Sequence, residues 1–182
     1  LWSCNDYEEV PVDDYTPEYV FSTTDSAGTA ARGYLSGIYS VMLKDNQHNR
    51  IDGDYLDAAT DNAISASLKE SQAYKLAIGD YDAINRIESD MRWQDYYLGI
   101  RRSNTYVDNI DVVPFRKDLS YTRPDKNGVD VELSFNTVTK AEARFLRALY
   151  YFELVRRYGG VQIVGDDVYE FGKNIELPRH TF

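Results

Sequence analysis

The sequence predicts a mostly α-helical protein with long loops and short β segments. Apolar residues recur at spacings of three and four in three separate segments, the period of a helix buried along one stripe. Between those segments lie polar runs rich in Gly, Asn and Asp, which break regular structure. Strict alternation is confined to VDVELSF at 129–135, a short strand or extended edge.

Composition narrows the function classes. The 182 residues suffice for one domain with its own core, and 43% hydrophobic against 27% charged residues is a globular balance. The net charge of −10 comes without a basic stripe, which excludes nucleic-acid binding by phosphate neutralisation and disfavours anionic lipid surfaces. A neutral ligand suits this charge best. Sixteen tyrosines against seven phenylalanines supply flat apolar faces with a hydroxyl, useful for packing and for stacking on sugar rings. A single cysteine forbids an internal disulfide framework or a multi-cysteine zinc site. No apolar run approaches the ~20 residues that a membrane-spanning helix needs.

The elements follow in order. LWSC at 1–4 has the pattern of a lipoprotein cleavage box, in which Cys4 becomes the lipidated first residue. Residues 5–21 carry two prolines and six acids without helical periodicity and read as an extended leader, so 1–21 forms an anchor and leader unit. Ser22 and Asp25 resemble a capping box for a helix with its stripe on Ala27, Ala31, Leu35, Ile38 and Met42. Gly28, Gly33 and Gly37 in that segment point to close helix packing. Residues 45–90 read as a long irregular excursion with one short helical turn near 55–59. A second helix is predicted over 83–111, with Trp93, Tyr97, Ile100, Asn104 and Val107 on one face. Asn104 is the polar member of that face, a core amide that bonds the backbone of a neighbouring helix. DKNG at 125–128 is a turn. Thr139 and Glu142 form a capping box that starts the last helix at about Lys140, and Gly159–Gly160 stop it. That helix has two apolar faces, one with Phe145, Ala148, Leu149 and Phe152, the other with Ala143, Leu146, Tyr150 and Leu154.

Ala141-x3-Phe145 and Ala148-x3-Phe152 have the small-then-large spacing of tetratricopeptide helices, although no 34-residue self-similarity is visible. The full string AEARFLRALYYFELVRRYGGVQIV at 141–164 closely resembles the signature of the SusD/RagB family of bacterial outer-membrane nutrient-binding lipoproteins. Further matches occur in order: Cys4-Asn5-Asp6-Tyr7, the Ala30–Tyr39 helix ending in GIY, Trp93-x3-Tyr97-x2-Ile100-x3-Asn104, and LPRHTF at 177–182. Gln162 departs from the family's preferred proline. Family members are longer, so residues 22–182 read as the N-terminal part of such a domain, incomplete at its C-terminus.

The resemblance implies a tetratricopeptide-like scaffold, lipid-anchored at Cys4 and exposed on the outer membrane. It implies capture of oligosaccharides for a SusC-like TonB-dependent transporter, without catalysis, cofactor or metal. A peptide-binding RagB-like role and a helical protein-interaction scaffold are the alternatives. The leader is the expected contact with the transporter. Ligand contacts in the family come from loops between helices, and the long candidate here is 60–81. Asp61, Asn62, Lys69 and Gln72 offer groups for paired hydroxyls, and Tyr74 offers a ring face. Chemistry finds little support. Only His48 and His180 could serve a Ser/His/Asp arrangement, and there is no G-x-S-x-G turn. Asp52, Asp54, Asp57 and Asp61 place their glycine at the wrong offset for an EF-hand and read as a hydrated acidic loop.

Overall fold

The computed structural model describes residues 16–45, 50–51, 54–66, 71–82, 84, 92–169 and 176–181. Its body is three long helices: α2 (Thr29–Asp45), α4 (Trp93–Asn109) and α5 (Phe135–Tyr158). The α4–α5 pair is the most extensive contact, and α2 lies against both. Each helix contributes a stripe at the predicted period. Ala31, Leu35, Ile38 and Val41 meet Tyr96, Ile100, Tyr106 and Val107 of α4 and Ala143, Leu146, Tyr150 and Leu154 of α5.

One side chain ties all three together. Tyr150 of α5 is buried, its ring lies over Gly99 of α4, and its hydroxyl donates to the Ile38 carbonyl of α2 at 2.5 Å. A Cβ on Gly99 would come within 2.6 Å of that ring. Gly99 is therefore where a glycine buys the closest approach of two helices.

The glycines of α2 behave differently. The close helix packing expected of them is made by none of the three: Gly28, before the helix, has φ 59° and faces the Phe115 ring of a loop. Around Gly33 and Gly37 no atom lies within 4 Å of a would-be Cβ, so these two line open space instead. At the start of α2, the Asp25 carboxylate accepts from the backbone of Ala27, Gly28 and Thr29 at 2.8–3.1 Å. Ser22 takes no part in that cap and pairs with Thr24.

The leader reading ends too late. Residues 17–20 form a short helix, α1 (Pro17–Val20), capped by Thr16 and begun by proline. Val20 and Phe21 are buried, and the Phe21 ring meets Tyr34 and Tyr106 at 5.6 and 5.8 Å. Apolar anchoring at 20–21 overrides the acidic composition before it.

The excursion after α2 holds more structure than its polar sequence indicates. A hairpin of β1 (Arg50–Ile51) and β2 (Asp54–Tyr55) runs into a 3-10 turn at Leu56–Ala59, and α3 (Gln72–Ala77) packs on that turn. Ser71 caps α3 by accepting from Ala73 and Tyr74. The second long helix starts at Trp93; the expected part from 83 to 92 falls largely outside the described residues.

β3 (Tyr121–Pro124) pairs antiparallel with β4 (Asp130–Leu133), with Tyr121 opposite Leu133. Asp125 makes the predicted turn by accepting from the backbone of Asn127 and Val129, and Gly128 takes φ 80°. The partner strand β3 went unread because it lacks alternation. Helix α5 also begins five residues before Lys140. Ser134 is its cap, and Phe135 is drawn in by Phe115 at 4.5 Å and Tyr121 at 5.9 Å. Thr139, expected to cap, is buried and donates to the Phe135 carbonyl.

The C-terminus of α5 is closed from two sides. Gly159 has φ 73°, and Arg179 donates to the carbonyls of Tyr158 and Gly160. Gln162 donates from its side chain to the Leu177 carbonyl at 2.8 Å, a bond that the family's proline could not make. Of the two apolar faces expected on α5, the one with Leu146 and Tyr150 is buried, whereas Phe145 and Phe152 stay 68% and 58% exposed.

The two classes of helical glycine give opposite expectations. Gly99→Ala should destabilise by about 1–3 kcal/mol, the cost of overpacking. Gly33→Ala should stabilise by roughly 1 kcal/mol through helix propensity alone. Urea denaturation measures both, and equal signs would refute the packing described.

Candidate functional site

Three places in the fold can carry binding. The first is the predicted loop. Asp61 and Asn62 are exposed in the turn that follows the 3-10 segment, where the Asn62 amide donates to the Thr60 hydroxyl. Gln72 and Tyr74 are half-buried in the first turn of α3. Because α3 packs on the 3-10 turn, both pairs belong to one small folded unit. Lys69 lies outside the described residues. What closes the unit is Asp54, whose carboxylate accepts from the hydroxyl of buried Ser65. That bond, with a further one from Ser71, holds the Asp54 carboxyl below its usual range. Asp54 therefore serves as a latch in the acidic run, while Asp57 and Asp61 remain exposed.

The second place is the turn after α5. Asn104 is buried, as its position on the α4 stripe requires, and the backbone it bonds is that of the turn rather than of a neighbouring helix. Its amide donates to the carbonyls of Gly165 and Asp167 at 3.0 and 2.8 Å, and its oxygen accepts from Arg147 at 2.7 Å. Arg147 also pairs with Asp166, and Tyr151 accepts from the Val164 amide at 2.8 Å. Hydrogen bonding and charge from Arg147 hold the Asp166 carboxyl below the ordinary range. These bonds of the amide and the guanidinium are spent on shape, so Asn104 positions the turn.

The third was missed from sequence. A groove of about 940 Å³ runs between α1 and α2. Ser22, Asp25, Gly33, Tyr34, Gly37 and Arg102 are among the residues that line it. Arg102 donates to the Gly37 carbonyl, and burial pushes the Tyr34 hydroxyl up. Hydroxyl, carboxylate and guanidinium groups beside two glycines suit an uncharged polar ligand. The signal was present in the glycine spacing, since glycines with no neighbour mark a hollow as readily as a contact.

A family model described as SusD-like, starch-binding associating with outer membrane, matches residues 13–182. The chain belongs to the SusD-like family. No curated protein and no solved structure matches it. This is a binding family associated with the outer membrane, and the match spans α1 through the Arg179 return segment. Within this SusD-like chain, the Trp93–Asn104 and 141–164 motifs are the two helices that meet at Gly99 and Tyr150.

Two tests follow. Asn104→Ala should cost about 1–3 kcal/mol in urea denaturation, the range for leaving buried partners unsatisfied; no change would mean the turn holds itself. Asp166 has a depressed folded pKa, so its small contribution is present above the unfolded value of about 3.9 and lost as pH falls through the folded one. Carboxyl NMR of Asp166 should titrate below that range and return to it in Arg147→Met. Identical titration in both proteins would exclude the pairing.

Proposed function

We propose that this chain captures oligosaccharides at the bacterial surface and passes them to a SusC-like TonB-dependent transporter, as a lipoprotein anchored through Cys4. The observation that carries the reading is the family match over residues 13–182, whose description is starch binding at the outer membrane. The chemistry agrees with it. A net charge of −10 favours a neutral ligand. The activity we propose is binding, without catalysis.

The ligand site we propose is the unit that carries Asp61, Asn62, Gln72 and Tyr74, together with Lys69, which lies outside the described residues. Exposed amide and carboxylate groups suit paired hydroxyls, and a half-exposed tyrosine can cover the C–H face of a sugar ring. The rest of the fold supports this assignment by contrast: Asn104, Arg147 and Asp166 are consumed by the turn they hold.

Calorimetry on the intact native protein with starch oligosaccharides tests the site. Tyr74→Ala should weaken binding several-fold, since one exposed stacking contact contributes on the order of 1 kcal/mol. Gly33→Leu, which projects a side chain into the α1–α2 groove from a position where a Cβ meets no atom within 4 Å, should leave affinity unchanged. The reverse pattern would move the site to the groove. A wild-type protein without affinity for any glycan on an array would overturn the function itself.

The anchor is tested separately, by fractionation. One lipidated cysteine carries enough acyl chain for stable membrane attachment. Cys4→Ala in a strain lacking the transporter should therefore release the protein from the outer membrane. Full retention would contradict lipidation at this residue.

A further inference from the structure

The β3–β4 hairpin leaves one face and one edge uncovered. Residues directly opposite in an antiparallel pair share a face, and neighbours along a strand alternate between faces. The observed register therefore puts Tyr121, Arg123, Val131 and Leu133 on one face, with Val129 in line, and Thr122, Pro124, Asp130 and Glu132 on the other. The first face begins in the aromatic cluster, where the Tyr121 ring stacks on Phe135 at 5.9 Å. From there it runs into solvent: Tyr121 is 46% exposed, Val131 40% and Val129 60%. A two-stranded ribbon is marginal in water, and a third strand is one way to complete it.

The backbone decides which edge can take that strand. The Asp125 N–H donates to the Val129 carbonyl at 2.8 Å, so these two form a hydrogen-bonded pair at the end of the ladder. Such pairs alternate with unbonded ones. Arg123–Val131 and Tyr121–Leu133 are then the bonded pairs, and the backbone groups of Thr122, Pro124, Asp130 and Glu132 point outward. On β3 the outward row includes Pro124, which has no N–H, so that edge is blunted. On β4 the outward row is Asp130 and Glu132, each with both a donor and an acceptor. Among the described residues no strand pairs with it. β4 is the competent edge.

Charge selects the occupant. A strand laid along β4 meets two exposed carboxylates, Asp130 and Glu132, on one face and Val129, Val131 and Leu133 on the other. Ser120 donates to the Glu132 carboxylate but leaves its charge in place. A second copy of β4 would set acids against acids, whereas lysine or arginine at alternate positions would pair with them. We propose that the outer edge of β4 binds an extended polypeptide segment in which apolar residues alternate with basic ones, added as a third strand. This site is separate from the glycan candidates and does not depend on them.

The test is an NMR titration of the intact native protein with the synthetic peptide acetyl-Lys-Val-Lys-Val-Lys-Val-amide. Hydrogen exchange at the Asp130 and Glu132 amides should slow, and the same peptide with Glu for Lys should bind about tenfold more weakly or worse. Glu132→Pro removes an outward donor at a position where, as at Pro124, no ladder bond is lost, and should weaken binding about tenfold or more. Thr122→Pro makes the same change on the β3 edge and should leave affinity unaltered. If Glu132→Pro unfolds the hairpin, Asp130→Lys with Glu132→Lys decides, because it keeps the backbone and should reverse the preference between the two peptides. Absence of binding to the wild-type protein, protection that falls away from β4, or an unreversed preference in the charge variant would overturn the proposal. Self-association of the wild-type protein that the charge variant abolishes would overturn it in favour of a second copy.

Discussion

The fold depends on the contact between Tyr150 and Gly99. Three helices must meet along lines short enough to exclude water, yet α4 carries bulky Tyr96, Ile100 and Tyr106 on its inner face. Removing the side chain at position 99 opens the notch that receives the Tyr150 ring. The hydroxyl, which burial would otherwise penalise, is spent on the Ile38 carbonyl of α2. A single residue thereby fixes the spacing of one helix pair and the position of the third. The chemistry of tyrosine is what allows it, because phenylalanine would fill the notch but could not reach α2.

Around this body the fold separates rigidity from recognition. Several polar residues are employed in holding the frame: Asn104 and Arg147 hold the 164–169 turn, and Arg179 closes the C-terminus of α5. Burial pushes the Tyr106 hydroxyl up to about 12, against a smaller opposing effect from Thr139, so this core tyrosine stays neutral across the working range. Among the residues left facing solvent are those of the 54–82 unit and of the α1–α2 groove. Binding surfaces set on loops above a stiff frame are the usual arrangement.

Much of this was legible in the sequence, for reasons that differ by element. The stripes of α2, α4 and α5 were readable because one-sided burial writes a 3.6-residue period directly into residue choice. Asn104 was readable as a satisfied core amide, but not its partner, since the turn it holds lies more than sixty residues away. The early start of α5 was hidden because two competent caps, Ser134 and Thr139, stand five residues apart, and an aromatic cluster decided between them. The excursion was hidden for a different reason. Among its described residues the buried ones are Ala and Ser, which leave no hydrophobic periodicity to find, while Leu56, Ile64 and Ile78 are exposed. Gly33 and Gly37 were misread because a glycine in a helix signals space without saying whether another backbone fills it.

Hydrogen exchange with and without a starch oligosaccharide reaches the central claim, that a rigid three-helix frame presents the 54–82 unit to ligand. Before ligand is added, amides of α4 and α5 should exchange only through global unfolding, and those of 54–82 through local opening. Ligand should slow exchange in 54–82 and leave the protection pattern of the helices unaltered relative to one another. Protection that appears along α1 and α2 instead, or equal protection of frame and excursion in the free protein, would contradict the account.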